Sequence, residues 1–266
     1  MTAMSKSPPA PSLLAAFLDY GVKKTLHKWL VRARCSLFAA EEGAVVTSRY
    51  GVRMRANPDD RTFQYCRYAT YGHVLSDFLA AQDRPFAFVD IGANQGLYSL
   101  LAAQNGHCTR AIAFEPVSRT FALLRDNIAL NGLKQTIQPV RAAVSIQSGM
   151  ATIAADARHS GTASLRGGAP ADAAGEDISI LGIAGVDALI EGSVPLIVKI
   201  DVEGHEETVV EALAQSAHLP RIAAIFYEID ARWTDAAKIE KMLRAAGFTR
   251  FDRFGFGRHY DMLAQR

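Results

Sequence analysis

The sequence predicts an α/β chain built on a mostly parallel sheet with helices on both faces. From about residue 86 onward, short runs rich in β-formers alternate with helix-length periodic stretches, the pattern of strands joined by crossover helices. A glycine-bearing turn stands between the first of these strands and the helix after it, as in nucleotide-binding βαβ units. The third observation is bulk: 266 residues, 49% apolar and 21% charged, suit one sizeable domain and exclude a disordered chain.

Strands are expected at Phe86–Ile91, 111–115, 137–144, 196–201 and 222–229, and helices at 96–104, 119–131, 205–216 and 235–246. Gly132 and Gly247 fall just past two of these helices, where a left-handed cap favours glycine. The closing stretch, 249–254 followed by 259–263, reads as a hairpin that finishes the sheet. One interval breaks the alternation: 145–185 carries seven glycines among many Ala and Ser, which predicts an inserted hairpin with loops near the site.

Residues 1–85 read as an N-terminal tail, an amphipathic helix and a cap, and 86–266 as the ligand-binding domain. Within 13–34, Leu13, Leu14, Phe17, Leu18, Val22, Leu26, Trp29 and Leu30 recur near helical spacing, opposite Lys23, Lys24, Lys28, Arg32 and Arg34. Such a basic amphipathic helix either docks on its own domain, covering a pocket or a homodimer contact, or touches a membrane surface peripherally. Lys and Arg exceed Asp and Glu by only two, 29 against 27, without long basic runs, so no nucleic-acid partner is expected. Cys35, Cys66 and Cys108 are odd in number and widely spaced, which suits reduced structural thiols and no metal site. Met1 to Pro11 lacks an apolar signal core and no segment approaches a bilayer span, so a cytoplasmic location is the expectation.

Three segments carry the chemistry. The run Phe88-Val89-Asp90-Ile91-Gly92-Ala93-Asn94-Gln95-Gly96 is a buried-strand pattern ending in an acid and a glycine turn. It departs from G-x-G-x-x-G at Asn94, which disfavours a pyrophosphate against that backbone. A carboxylate at Asp90 would suit a cationic ligand instead. In Ala113-Phe114-Glu115-Pro116, Glu115 closes the next strand, where an acid can accept both ribose hydroxyls. Together Asp90 and Glu115 point to an adenosyl ligand without phosphates.

The third segment, Ile197-Val198-Lys199-Ile200-Asp201-Val202-Glu203-Gly204-His205-Glu206, brings ionisable groups to the carboxyl end of an apolar strand. Asp201 and Glu203 are the candidates for orienting an amino group and an acceptor hydroxyl, and His205 for a general base. Glu206 also suits the first turn of a helix. Glu228 ends another apolar strand and, with Glu206, is a candidate substrate contact.

With Leu124-Arg125-Asp126-Asn127-Ile128-Ala129-Leu130-Asn131-Gly132 added, these runs resemble the FkbM-type S-adenosylmethionine-dependent methyltransferases, over residues 86 to 230. The resemblance implies a Rossmann-like class I methyltransferase fold: a seven-stranded sheet with an antiparallel last strand, here with an N-terminal helical extension. It implies S-adenosyl-L-methionine as donor and hydroxyls of sugars or small natural products as acceptors. Asp90, Gly92, Ala93, Asn94 and Gly96 would hold the methionine part, Glu115 with Pro116 the ribose, and Asp201 to Glu206 the donor–acceptor junction. Asp201, Glu203 or His205 is expected to take the acceptor's proton. Mg²⁺ on the acids is a less favoured alternative, so no metal ligand is assigned. An NAD(P)-dependent oxidoreductase and a non-catalytic membrane-associated adaptor are the competing readings.

Overall fold

The computed structural model describes residues 40–154, Ser160 and 175–266; the expected helix at 13–34 and Cys35 lie outside them. Residues Ala40–Arg266 form one compact unit. It opens with β1 (Val45–Thr47) and β2 (Arg53–Arg55), an antiparallel pair, followed by helices α1 (Arg61–Tyr68) and α2 (His73–Ala80).

The alternating core comes next: β3 (Phe86–Ile91), α3 (Leu97–Gln104), β4 (Cys108–Phe114), α4 (Ser118–Leu130) and β5 (Ile137–Val140). After an inserted sheet come β9 (Leu196–Ile200), α6 (Glu206–Leu213), β10 (Ile222–Asp230), α7 (Ala236–Ala245), β11 (Arg250–Phe254) and β12 (His259–Gln265). The main sheet has seven strands in the order β11-β12-β10-β9-β3-β4-β5. All neighbours from β10 to β5 are parallel, and β12 runs antiparallel to both β10 and β11. The fold is therefore Rossmann-like, with the expected reversed last strand.

Alternation along β3 shows how the sheet is sandwiched. Phe86 and Phe88 pack with Phe63, Leu75, Leu100 and Leu124 on one face, while Ala87, Val89 and Ile91 pack with Val186, Val209 and Leu243 on the other. All six β3 residues are buried, which is why the strand reads as an unbroken apolar run with a single acid. Helices α1 to α4 cover the first face and α6 and α7 the second. Both glycines expected as caps adopt left-handed backbone, Gly132 at φ 71° and Gly247 at φ 93°.

One expected strand divides. The run 137–144 splits into β5, which ends at Val140, and β6 (Ala143–Ser145), which leaves the main sheet. A tight turn in which the Ala142 amide donates to the Val140 carbonyl makes the break. With β7 (Gly149–Ala154) and β8 (Gly175–Gly182), β6 forms a separate sheet of order β6-β8-β7, whose β7–β8 pair is the antiparallel hairpin expected of the insertion. A short helix, α5 (Ile183–Asp187), leads back to β9. Among the described residues no helix is long and apolar enough to cross a membrane.

Candidate active site

Chain order along the sheet reverses beside β3: the path runs outward through β4 and β5, then returns to β9 on the other side. Ligands of open α/β sheets bind at such a switch point, beyond the carboxyl ends of the strands. Asp90 on β3 and Lys199 on β9 are register partners across it. Both side chains are buried. The three N–H donors of an ammonium face three acceptors here: the Gly92 carbonyl at 2.5 Å, Asp90 Oδ1 at 3.2 Å and Asp201 Oδ2 at 3.6 Å. Burial opposes the Lys199 charge, but Asp90 and Asp201 outweigh it and hold its pKa above the ordinary value. Ser99 Oγ donates to the other Asp90 oxygen at 2.7 Å.

That pairing corrects the charge expected of Asp90. Its carboxylate is 0% exposed and its countercharge is Lys199, so it secures the turn instead of offering a bare charge to a cation. Lys199 is absent from the expected site residues, although a lysine inside an apolar strand signals a buried partner.

The turn from Gly92 to Gly96 is made by three left-handed residues, Gly92 at φ 79°, Asn94 at 51° and Gly96 at 91°. A Cβ at Gly92 would collide with the Asp201 backbone oxygen, which is how closely β3 and β9 approach. Asn94 takes the conformation that glycine takes in the dinucleotide fingerprint, as asparagine can. Its Oδ1 accepts from the Gln95 amide at 2.8 Å and from Ser160 Oγ at 3.1 Å.

Behind the turn lies a further buried acid, Asp60, the N-cap of α1. It accepts from the Thr62 amide at 2.9 Å, Gln95 Nε2 at 2.6 Å and Ser160 Oγ at 2.6 Å. Asn127 of α4 donates to the Gln95 carbonyl at 2.8 Å and accepts from the Arg55 amide at 2.7 Å. Four separate segments thus fix one turn.

Glu115 stands just past the end of β4, with Pro116 after it. Its Oε2 accepts from the Asn94 amide and its Oε1 from the Val117 amide, both at 3.0 Å. Burial pushes its pKa up to about 7 against the pull of those two amides. Each oxygen keeps a second lone-pair direction.

The loop after β9 supplies the remaining acids. Asp201, Glu203 and Glu228 each bring one carboxylate oxygen into a group whose members lie within 4.8 Å of one another, a geometry able to hold a metal ion. Glu203 sits in left-handed backbone at φ 50°, a conformation costly for a residue other than glycine. Burial raises Asp201 to about 7, with Glu228 and Glu206 adding to it and Lys199 opposing. Burial and then Asp201, Glu228 and Glu206 raise Glu203 to about 8.

Two expected residues stand apart from this group. Glu206 is 2% exposed and has both oxygens engaged, accepting from the Gly204 amide at 2.8 Å and from Thr234 Oγ1 at 3.1 Å. One oxygen thus braces its own loop and the other ties it to Thr234 in the link between β10 and α7, which corrects its expected substrate contact. His205 is the N-cap residue of α6, with Nε2 3.3 Å from Ser145 Oγ on β6, and burial lowers its pKa.

Three residues beyond the expected set complete the acid edge. Glu228 on β10 is the register partner of Asp261 on β12. Its Oε1 takes the Tyr71 hydroxyl at 3.1 Å and His259 Nε2 at 2.5 Å. The same Tyr71 hydroxyl lies 3.4 Å from Asp261 Oδ1. Glu228 holds His259 up to about 9, while burial and Glu228 raise Asp261 to about 7.

A Rossmann-like sheet with a reversed last strand, a glycine turn and a carboxylate at its switch point is the arrangement expected of a class I methyltransferase. Residues 90–250, more than half of the chain, match the methyltransferase FkbM domain. The chain belongs to that family. Family membership sets aside the oxidoreductase reading. Solved structures similar to it include a human methyltransferase 10 domain containing protein, 14% identical, with 94% of this chain and 97% of that one covered at a TM-score of 0.49. The METTL16 methyltransferase domain is 13% identical, with 91% and 78% covered at 0.49. Precorrin-6y C5,15-methyltransferase from Geobacter metallireducens GS-15 is 15% identical, with 73% and 87% covered at 0.44. No curated protein sequence matches the chain.

Proposed function

We propose that this methyltransferase takes the methyl group of S-adenosyl-L-methionine and places it on a hydroxyl oxygen of a small neutral acceptor, a sugar or a small natural product. The observation that carries the reading is the trio Asp201, Glu203 and Glu228, three carboxylates within 4.8 Å at the strand ends beside the glycine turn.

The residues present fit the donor. Glu115 has one lone-pair direction left on each oxygen, enough for two vicinal ribose hydroxyls. Gly92, Ala93, Asn94 and Gly96 would hold the methionine part, with Asp90 and Lys199 fixing the turn from behind. Pro116 ends the strand without an amide to compete for Glu115. Asp201 lies at the junction, its backbone against Gly92 and its carboxylate toward Lys199. When bound, the donor supplies an electrophilic methyl carbon.

This chain's part is then alignment and proton removal. Holding the acceptor oxygen in line at near-attack distance contributes much of the acceleration in such displacements. Asp201 or Glu203 takes the hydroxyl proton, since pKa values of about 7 and 8 match an operating pH near neutrality. His205, turned toward Ser145, is the weaker base candidate. An acidic edge also disfavours phosphorylated acceptors by like-charge repulsion.

The test combines calorimetry with S-adenosylhomocysteine and a screen of methyl pyranosides and other polyols for S-adenosylhomocysteine release. Binding with turnover of a neutral hydroxyl acceptor is expected. Absence of binding overturns the donor assignment, and turnover unchanged in Asp201→Ala overturns Asp201 as the base. Turnover that persists in EDTA leaves the proton to the carboxylates without a divalent ion.

A further inference from the structure

Among the described residues three non-glycines adopt positive φ: Ala69 at 50°, Asn94 at 51° and Glu203 at 50°. Asn94 and Glu203 belong to the turn and the acid loop described above. Strained backbone of this kind persists only where its surroundings over-determine it, and it clusters at functional sites. Ala69 is the third case, and it lies in the short link between α1 and α2, outside the family-matched stretch 90–250.

The link is braced for one outcome. Ala69 is the C-cap of α1, and its carbonyl meets His73 Nε2 at 2.7 Å. Tyr50 donates its hydroxyl to the Tyr71 carbonyl at 2.5 Å. Gly72 holds φ 91° where a Cβ would clash with the Tyr98 hydroxyl. These contacts fix the backbone on both sides of Tyr71, whose hydroxyl then reaches Glu228 Oε1 at 3.1 Å, 157 positions away in the chain.

We infer that Tyr71 is an acceptor-positioning residue, which acts through Glu228 by fixing the rotation of its carboxylate against the acceptor hydroxyl. Among the described residues, Tyr71 and His259 both meet that carboxylate at Oε1, so the direction of the second oxygen is set by the geometry of the group. Asp261 lies on the far side of the Tyr71 hydroxyl at 3.4 Å. Tyr71, His259 and Asp261 all come from outside residues 90–250. The residues proposed to hold the donor lie inside the family-matched stretch, whereas the wall around Glu228 is completed by segments that flank it. Burial, Glu228 and Asp261 together keep the phenol protonated, so it remains a donor throughout the working range.

The inference rests on the proposed function and is tested on the full chain with the methyl pyranoside turned over fastest by the wild type. Tyr71→Phe removes one hydrogen bond to a charged acceptor and is expected to raise KM for the glycoside about tenfold. The dissociation constant for S-adenosylhomocysteine should stay at the wild-type value, so that the loss falls on the acceptor's KM alone, whereas a merely structural role would weaken both. Glu228→Gln and the double variant close the cycle: action through Glu228 makes the double variant no worse than the poorer single one. Additive losses, or an unchanged KM in Tyr71→Phe, overturn this inference alone. Failure of the wild type to methylate any member of the panel overturns the proposed function and this inference with it.

Discussion

Replacing Lys199 with methionine keeps the length of the side chain and deletes its charge, in a place where that charge has two partners. Asp90 and Asp201 lie 3.2 and 3.6 Å from the ammonium, and at an effective dielectric of about 20 each attraction is worth about 5 kcal/mol before desolvation. Desolvation of all three groups offsets most of that sum. The measurable quantity is the cost of removing one partner of a buried pair, typically about 3–5 kcal/mol. Asp90, 0% exposed, would keep only its Ser99 contact. Urea unfolding should therefore show Lys199→Met losing about 3–5 kcal/mol, a large share of the about 5–15 kcal/mol of a folded protein. Lys199→Met combined with Asp90→Asn should recover a substantial part, since the stranded charge is gone. A loss under about 1 kcal/mol, the size of an exposed pair, or no recovery in the double variant, would refute the reasoning.

Methyl transfer by the wild type should rise with pH along an acid limb near 7 to 8, because Asp201 and Glu203 are raised to about 7 and about 8 and must be ionised to accept a proton; a flat rate from pH 6 to 9 counts against both. Stability of the ligand-free protein should run the other way. Carboxyl groups raised in the folded state contribute most below their unfolded pKa and lose that contribution as pH rises through 7 to 8, and His259, raised to about 9, adds the same sign at higher pH. Differential scanning calorimetry across that range would show a falling midpoint. In the turn, Gly92→Ala should abolish S-adenosylhomocysteine binding measured by calorimetry because its Cβ meets the Asp201 backbone, while Asn94→Gly should retain binding and Asn94→Val lose it, valine being ill suited to φ 51°. Asp60→Ala removes the cap of α1 and the acceptor of Gln95 and Ser160, and should cost about 2 kcal/mol or more in chemical unfolding.

The five parallel strands and the closing hairpin are legible because each strand carries its own local pattern, and Asp90–Gly96 and Glu115 because a strand end running into a turn is also local. What escapes depends on pairing across the sheet. Lys199 acquires its meaning from being the register partner of Asp90, and Asp261 from facing Glu228 across β10 and β12; neither pairing is written in the neighbouring residues. Glu206 shows the reverse error: an acid in the expected place is consumed by the amides of its own loop. The strand at 137–144 reads as one because its apolar character continues through Ala142 and Ala143, and only the turn at Val140 sends the chain into a second sheet. Tyr71 stays hidden because a tight helix link with a left-handed alanine has no sequence signature.

The register between β10 and β12 carries one more consequence. In a β ladder, sliding one strand by a single residue turns all its side chains to the opposite face, so a slip in β12 would carry Asp261 away from Tyr71 and draw its neighbour into that place. The ladder with β10 holds Asp261 opposite Glu228, while the hairpin link between β11 and β12, where Gly255 and Gly257 adopt φ 110° and 82°, sets β12 against its other neighbour. These two glycines carry no side chain, yet they turn the chain into the strand that brings Asp261 to Glu228. A methyl group added at either would strain left-handed backbone, and at Gly255 it would also press on Tyr260, so a change remote from every acid is expected to loosen the strand that carries one of them.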